Sequence, residues 1–236
     1  MKKISLVIPV YNEEKILENS IKKLYDHMSK NIKKDWKIII ANNASTDKTK
    51  EIAGKLVKKY SQVEAMHLLF KGRGNALKCA WKKYKSDVYA YCDVDLATDI
   101  SYLKELFDNV FCGNNIVIGS RYLKEAKSNR TINRLILSKG YNYLIRLFFR
   151  TRISDFQCGF KAVDDKIIKE IIPRVKNKKW FFDTEMLLLA EQSGKYNIKE
   201  IPVSWRENKD TKVRIFEAIY EHIKGLVLLK KRLNEN

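Results

Sequence analysis

Asp93 and Asp95 are separated by a single valine and directly follow the apolar run Val88-Tyr89-Ala90-Tyr91-Cys92. Side chains two positions apart at an extended strand end point the same way, so both carboxylates can face one space. Two acidic groups placed there repel each other unless a cation lies between them. A hard divalent ion, Mg2+ or Mn2+, gripped by so few protein oxygens would keep its other coordination positions for substrate phosphates. The plainer alternative is a loop turn or a helix cap, and Asp99 and Ser101 close by suit capping. An Asp-x-Asp pair is too short to decide this alone, so its surroundings carry the weight.

Other polar clusters stand in comparable positions. Pro9, Tyr11 and Glu13 close the first apolar run. A tyrosine ring offers a stacking face for a nucleobase and a glutamate accepts hydrogen bonds from ribose hydroxyls, although the same residues also suit a strand-to-helix turn. Asn42 and Asp47 could bond a base edge, with helix capping the more expected role for Asp47. Lys71-Gly72-Arg73-Gly74 has the make-up of a phosphate loop, because glycines permit close backbone approach and cations pair with phosphate. It lacks both the Gly-Lys-Ser/Thr ending of a Walker A loop and the third glycine of a dinucleotide fingerprint. The histidines, His27, His67 and His222, fall outside these clusters.

The elements that must carry these residues follow from hydrophobic periodicity. Strands are expected over 4–10, 37–41, 64–69, 88–92 and 115–119, with helices over 15–29, up to Tyr60, over 75–84 and over 101–111. This alternation predicts an α/β fold, a mostly parallel central sheet covered by helices on both faces. In such sheets ligands gather beyond the carboxyl ends of the strands. The polar clusters all fall there, as does Ser120-Arg121. Further on, helices are expected over 132–149, 180–193 and 216–233 and a strand over 198–205. The chain reads as a catalytic domain over 1–213 and a C-terminal amphipathic helix over 214–236, packed on the domain or lying at a membrane surface.

Composition narrows the function classes. With 236 residues, 45% of them hydrophobic, and only 3 prolines and 9 glycines, the chain can bury a core and has little room for a long linker. The formal net charge of +19 implies an anionic partner: nucleic acid, an anionic membrane surface or a phosphorylated ligand. A nucleic-acid-binding domain would leave the acidic pair and the polar strand ends unexplained, so no nucleic acid is expected. Cys79, Cys92, Cys112 and Cys158 are widely spaced, with no CxxC pair or His cluster, which disfavours zinc and fits free thiols in a reducing cytosol. No signal peptide and no membrane-spanning segment are expected.

Taken together, Val7-Ile8-Pro9-Val10-Tyr11-Asn12-Glu13, Asn42-Asn43-Ala44-Ser45-Thr46-Asp47-Lys48-Thr49, Gly72-Arg73-Gly74-Asn75-Ala76-Leu77 and Asp93-Val94-Asp95-Leu96 resemble family 2 glycosyltransferases, which have the GT-A fold. Gly119-Ser120-Arg121-Tyr122, Ser154-Asp155-Phe156-Gln157-Cys158-Gly159-Phe160-Lys161 and Glu200-Ile201-Pro202-Val203 extend the likeness to the polyprenyl-phosphate branch, which includes the dolichyl-phosphate mannose and glucose synthases. The resemblance implies that Pro9, Tyr11 and Glu13 hold the nucleoside, with Asn42 at the base. It implies that Asp93 and Asp95 bind the metal and diphosphate, and that Arg206 and Lys212 fold over the donor diphosphate. Arg121 and Arg134, with Ser138 beside them, would meet the lipid phosphate; Asp95, Arg121 and Arg134 would matter most for transfer. Two departures stand out: Asn42-Asn43 replaces the family's frequent Asp-Asp, and Ala97 stands where many mannose synthases carry a further metal-binding Gln. Water, Thr98 or Asp99 could substitute for it.

The implied reaction is inverting transfer of a hexose from a GDP- or UDP-linked sugar to a polyprenyl phosphate. A related possibility is transfer to a polysaccharide or protein hydroxyl, which needs a carboxylate base such as Asp183 or Glu185. Because a polyprenyl tail stays in the bilayer, the enzyme would sit peripherally on the cytoplasmic face of a membrane. The basic and apolar helices at 132–150 and 216–233 are the candidates for contact, the former first.

Overall fold

The computed structural model describes residues 2–129, 131–207 and 215–235, and side chains 132–134, 136, 137 and 215–219 lie outside that description. Strands β1 (Lys3–Val10), β2 (Asp35–Asn43), β3 (Val63–Leu68), β4 (Val88–Cys92), β5 (Ile116–Ser120), β7 (Phe160–Asp164) and β8 (Ile198–Pro202) form a seven-stranded sheet in the order β3-β2-β1-β4-β7-β5-β8. Two short strands, β6 (Lys127–Asn129) and β9 (Ser204–Arg206), pair separately. Neighbours in the large sheet run parallel except around β7, which is antiparallel to both β4 and β5.

The central strands are buried almost throughout, and successive side chains alternate between two cores because both faces are covered. Leu6, Ile8, Ile38, Ile40, Ala90 and Ala162 face a core shared with helices α1 (Leu17–Asn31), α2 (Thr49–Lys59) and α4 (Leu103–Phe111). Val7, Ile39, Tyr91, Ile118 and Val163 face the opposite core. That side is covered by α3 (Arg73–Lys83), α5 (Ile132–Phe149), α6 (Asp165–Glu170), α7 (Phe182–Gln192) and α8 (Ile215–Asn234). Leu226 and Leu229 of α8 are buried in this core, and Lys230 Nζ donates to Phe148 O of α5 at 3.0 Å. Among the described residues, no helix is long and apolar enough to cross a membrane.

The α/β fold and mostly parallel sheet agree with the sequence reading, with local differences. Strand β7 and helix α6 were not anticipated, because Lys161 interrupts the apolar pattern. The strand expected over 198–205 divides at Val203, and its second part leaves the main sheet to pair with β6. Strand β2 runs on through Asn42 and Asn43, so these are strand residues with side chains fixed by the ladder.

Candidate active site

The acidic pair lies where β4 ends. Asp93 N donates to Gly159 O at 3.1 Å, and the Asp93 carboxylate rests directly on Gly159; a Cβ built there would lie 1.8 Å from Asp93 Oδ2. Leu96, with φ of 50°, makes a left-handed turn, and Ala97 N donates to Asp95 Oδ1 at 3.1 Å. Asp95 keeps an exposed surface yet is crowded enough that burial, then the charge of Asp93, pushes its carboxyl above its ordinary value. The pair meets across a turn, not along a continuing strand.

This donor set suits a hard divalent cation: two adjacent carboxylates, one of them held high by burial and by its neighbour's charge. Among the described residues, no group of three or more His, Cys, Asp or Glu could hold a metal. Thr98 is buried with its hydroxyl 3.8 Å from Cys158 Sγ, and Asp99 accepts from Ser101 N at 2.9 Å as a helix cap.

Beside the pair lies the expected nucleoside face. Pro9 and Tyr11 are half-buried, and Lys71 Nζ stands 3.9 Å from the centre of the Tyr11 ring, a cation–π contact. Glu13 O accepts from Leu17 N at 3.0 Å to start α1, while its N–H donates to Thr49 Oγ1 at 2.8 Å. Ser45 and Thr46 bond Asn12, and Asp47 accepts from Thr49 N at 3.0 Å just ahead of α2, whose N-cap position is Lys48. Asn42 is 2% exposed, accepts from Ser45 N at 3.1 Å and lies 3.2 Å from His67 Nδ1.

Lys71-Gly72-Arg73-Gly74 does not form an open phosphate nest. Gly72 N donates to Asn43 Oδ1 (2.8 Å), Gly74 N to Lys179 O (3.3 Å) and Asn75 N to Lys178 O (2.9 Å). The amides that would face a phosphate are taken, the first by Asn43 at the end of β2 and the others by a segment about a hundred residues away. Arg73 turns inward and ion-pairs with Asp93 at 2.9 Å and Asp183 at 2.5 Å.

Across the pair, Arg121 forms a two-pronged ion pair with the fully buried Asp155, Nε to Oδ2 at 2.7 Å and Nη2 to Oδ1 at 2.8 Å. Burial opposes ionisation of Asp155, but Arg121 outweighs it and brings the carboxyl down to about 2. The predicted phosphate-binding charge of Arg121 is therefore already balanced. Tyr122 OH donates to Ser138 Oγ at 2.7 Å on α5. Arg134 occupies the first turn of α5, but its side chain is outside the description, as is Lys212 altogether. Arg206 is exposed, and its N–H donates to Ala97 O at 2.8 Å, which brings β9 against the turn carrying Asp95.

Neither late carboxylate is available as a base. Asp183 accepts from Arg73 and from the Tyr91 hydroxyl; burial opposes its charge, but Lys161 and Arg73 prevail and hold it below its ordinary value. Glu185 is buried and accepts from Lys176 N (3.0 Å), Asn177 N (2.8 Å) and Arg232 Nη2 (2.5 Å). Sequence reasoning assigned no role to Gly159 or Lys161, and gave Arg73 only a place in a candidate phosphate loop. A lysine inside the apolar stretch Phe160-Lys161-Ala162-Val163 was the available signal; it is fully buried and donates to Phe156 O (3.1 Å) and Cys158 O (2.5 Å).

A family model described as Glycosyl transferase family 2 matches residues 5–172. Glycosyltransferase AglD of Haloferax volcanii is 35% identical over 219 residues, covering 92% of this chain and 35% of that protein. Dolichyl-phosphate beta-glucosyltransferase ALG5A of Trichomonas vaginalis is 33% identical over 222 residues, covering 90% of this chain and 68% of its own. The human dolichyl-phosphate beta-glucosyltransferase is 28% identical over 246 residues, covering 98% and 76%. The chain thus spans about a third of the archaeal relative's length and roughly two thirds to three quarters of the others. Glucosyl-3-phosphoglycerate synthase from Mycobacterium tuberculosis, solved with Mn2+, UDP-glucose and phosphoglyceric acid, superposes with a TM-score of 0.74 at 15% identity, over 98% of this chain and 80% of that one. At that identity the likeness shows the fold.

Proposed function

The chain belongs to glycosyl transferase family 2 and has the GT-A fold, and on that premise we propose that it transfers a hexose, with inversion, from a nucleotide-diphosphate sugar to a polyprenyl phosphate of dolichyl type. One observation carries the choice of acceptor. Asp183 and Glu185, the carboxylates a neutral hydroxyl would need, are buried and held by cations and backbone amides. A phosphate monoester needs no such base, because its second ionisation lies near pH ~6 and it is already nucleophilic at neutral pH. The names of the dolichyl-phosphate glucosyltransferase relatives point the same way.

Asp93 and Asp95 would hold Mg2+ or Mn2+, which supplies charge neutralisation for the departing nucleotide diphosphate. Pro9, Tyr11, Glu13 and Asn42 would seat the nucleoside, with Lys71 moving off the Tyr11 ring or sharing it with the base. Arg206 and Lys212 would close over the diphosphate. Arg134 and Ser138 would orient the acceptor phosphate, and Arg121 would offer it the guanidinium edge that Asp155 leaves open. Exposed Tyr143, Leu144, Leu147 and Phe148 on α5, and Tyr220, Ile223, Val227 and Leu228 on α8, would rest at the interface of an anionic membrane's cytoplasmic face.

A donor panel of UDP- and GDP-hexoses with polyprenyl phosphate and Mg2+ or Mn2+ tests this by release of nucleotide diphosphate and formation of a lipid-linked sugar. Transfer to polyprenyl phosphate but not to the matching polyprenol is expected. Efficient transfer to a neutral hydroxyl acceptor, with none to the phosphate, would refute the acceptor assignment.

A further inference from the structure

Arg73 has no part in the binding of donor or acceptor set out above, yet its placement is closely constrained. Its side chain is 9% exposed, and its two terminal nitrogens go to different carboxylates, Nη1 to Asp183 and Nη2 to Asp93. Its flat face lies over Tyr91, 4.9 Å from the ring centre, and over Trp180 at 5.5 Å. Asp183 is fixed independently, since Tyr91 donates its hydroxyl proton to Oδ1 and α7 carries the backbone. Helices α3 and α7 meet without slack here: a Cβ on Gly74 would lie 2.5 Å from Phe182 Cβ. Asp93 in turn is seated on Gly159. The chain of contacts runs from α7 through Asp183 and Arg73 to Oδ1 of Asp93.

We propose that Arg73 is a positioning residue: a built-in cation, anchored by Asp183, that aims the Asp93 carboxylate and offsets part of the charge of the acidic pair. The inference rests on the metal-binding role given to that pair above. Without a fixed cation, two adjacent carboxylates repel and one turns away or takes a proton. A guanidinium can span two carboxylates with its rigid fork, whereas an ammonium is a single point charge on a flexible stem. Arg73→Lys therefore keeps the charge and loses the span.

The test compares wild-type protein with Arg73→Lys and Asp183→Asn, all verified as folded by circular dichroism and thermal melting. Mn2+ uptake with UDP or GDP is followed by electron paramagnetic resonance, alongside kcat and KM for the donor. Arg73→Lys is expected to bind the nucleotide alone as wild type does, and to bind Mn2+ about tenfold more weakly. Its kcat should fall by about a hundredfold while the donor KM stays within about threefold. Added to Asp93→Asn, Arg73→Lys should cost nothing further, because both remove the same aim. Should Arg73→Lys not fold, Asp183→Asn, which leaves the guanidinium and slackens its anchor, carries the same expectation. Unchanged Mn2+ uptake and rate in these variants, or costs that simply add to those of Asp93→Asn, overturn the role. Wild-type protein that takes up no Mn2+ with either nucleotide overturns the metal-binding reading of the pair, and this role with it.

Discussion

The loop after β1 and the segment before β7 border the same acidic pair from opposite sides, and different physics holds them there. Residues 12–14 are tied to residues 45–49 by small neutral and singly charged bonds: Asn12 N to Ser45 Oγ, Thr46 N to Asn12 Oδ1, Glu13 N to Thr49 Oγ1, Glu14 N to Asp47 Oδ2 and Lys48 N to Glu14 Oε2. All are half-buried or exposed, and water can replace any one of them. Residues 154–158 are held by a buried charge. Asp155 accepts from Arg121, Gln157 N and Cys158 N, while Glu200 accepts from Ser154 and Asp155 N. One side distributes its stability over many replaceable contacts; the other concentrates it in an ion pair that solvent cannot relieve.

The largest expected effect comes from breaking the concentrated side. Asp155→Asn leaves Arg121 buried with no counter-charge and should lower unfolding free energy by about 3–5 kcal/mol in urea titration; a loss below about 1 kcal/mol would erase the contrast. Next, Gly159→Ala should leave the fold intact by circular dichroism and reduce nucleotide diphosphate release at least about a hundredfold, because the new Cβ occupies the place of Asp93 Oδ2. A near-normal rate would mean that Asp93 needs no such seat.

Acid should act on the same ion pair. Asp155 has its folded value depressed to about 2 from an ordinary 3.8, so its stabilisation is complete above the unfolded value and is lost as pH falls from about 4 towards 2. Its share is roughly 2 kcal/mol. The Asp155 carboxyl carbon resonance should stay in its ionised position down to about pH 3, and a titration midpoint near 4 would contradict the pairing. Smaller again, Leu147→Ser with Phe148→Ser should weaken binding to anionic vesicles about tenfold in a flotation assay while leaving nucleotide binding unaltered, since both are exposed on α5. Least of all, Asn12→Gly should cost under about 1 kcal/mol: glycine suits the left-handed φ of 54°, which offsets the loss of the exposed side-chain bonds to Thr46.

The distributed side was the legible one. Strands β1 and β4 are unbroken apolar runs followed at once by polar residues, so their place and the ligand end they mark follow from local pattern. That pattern singles out Asp93, Asp95, Tyr11 and Arg121 as candidates. What stayed hidden depends on contacts distant along the chain. Lys161 in mid-strand argues for a surface until Phe156 O and Cys158 O are seen to receive its ammonium. The glycines and cations of Lys71-Gly72-Arg73-Gly74 have the right composition for phosphate, but the approach of Asn43, Lys178 and Lys179 shows that their amides are occupied. Arg121 lies just past β5, and its pairing with the distant Asp155 becomes visible only in the fold.

The antiparallel course of β7 imposes a constraint on chain length. Phe160 pairs with Cys92, so β7 presents its first residue, and not its last, at the ligand end of the sheet. The stretch between Asp155, clamped to Arg121, and Gly159, lying under Asp93, therefore acts as a ruler. One residue inserted or removed there could keep either end in register but not both.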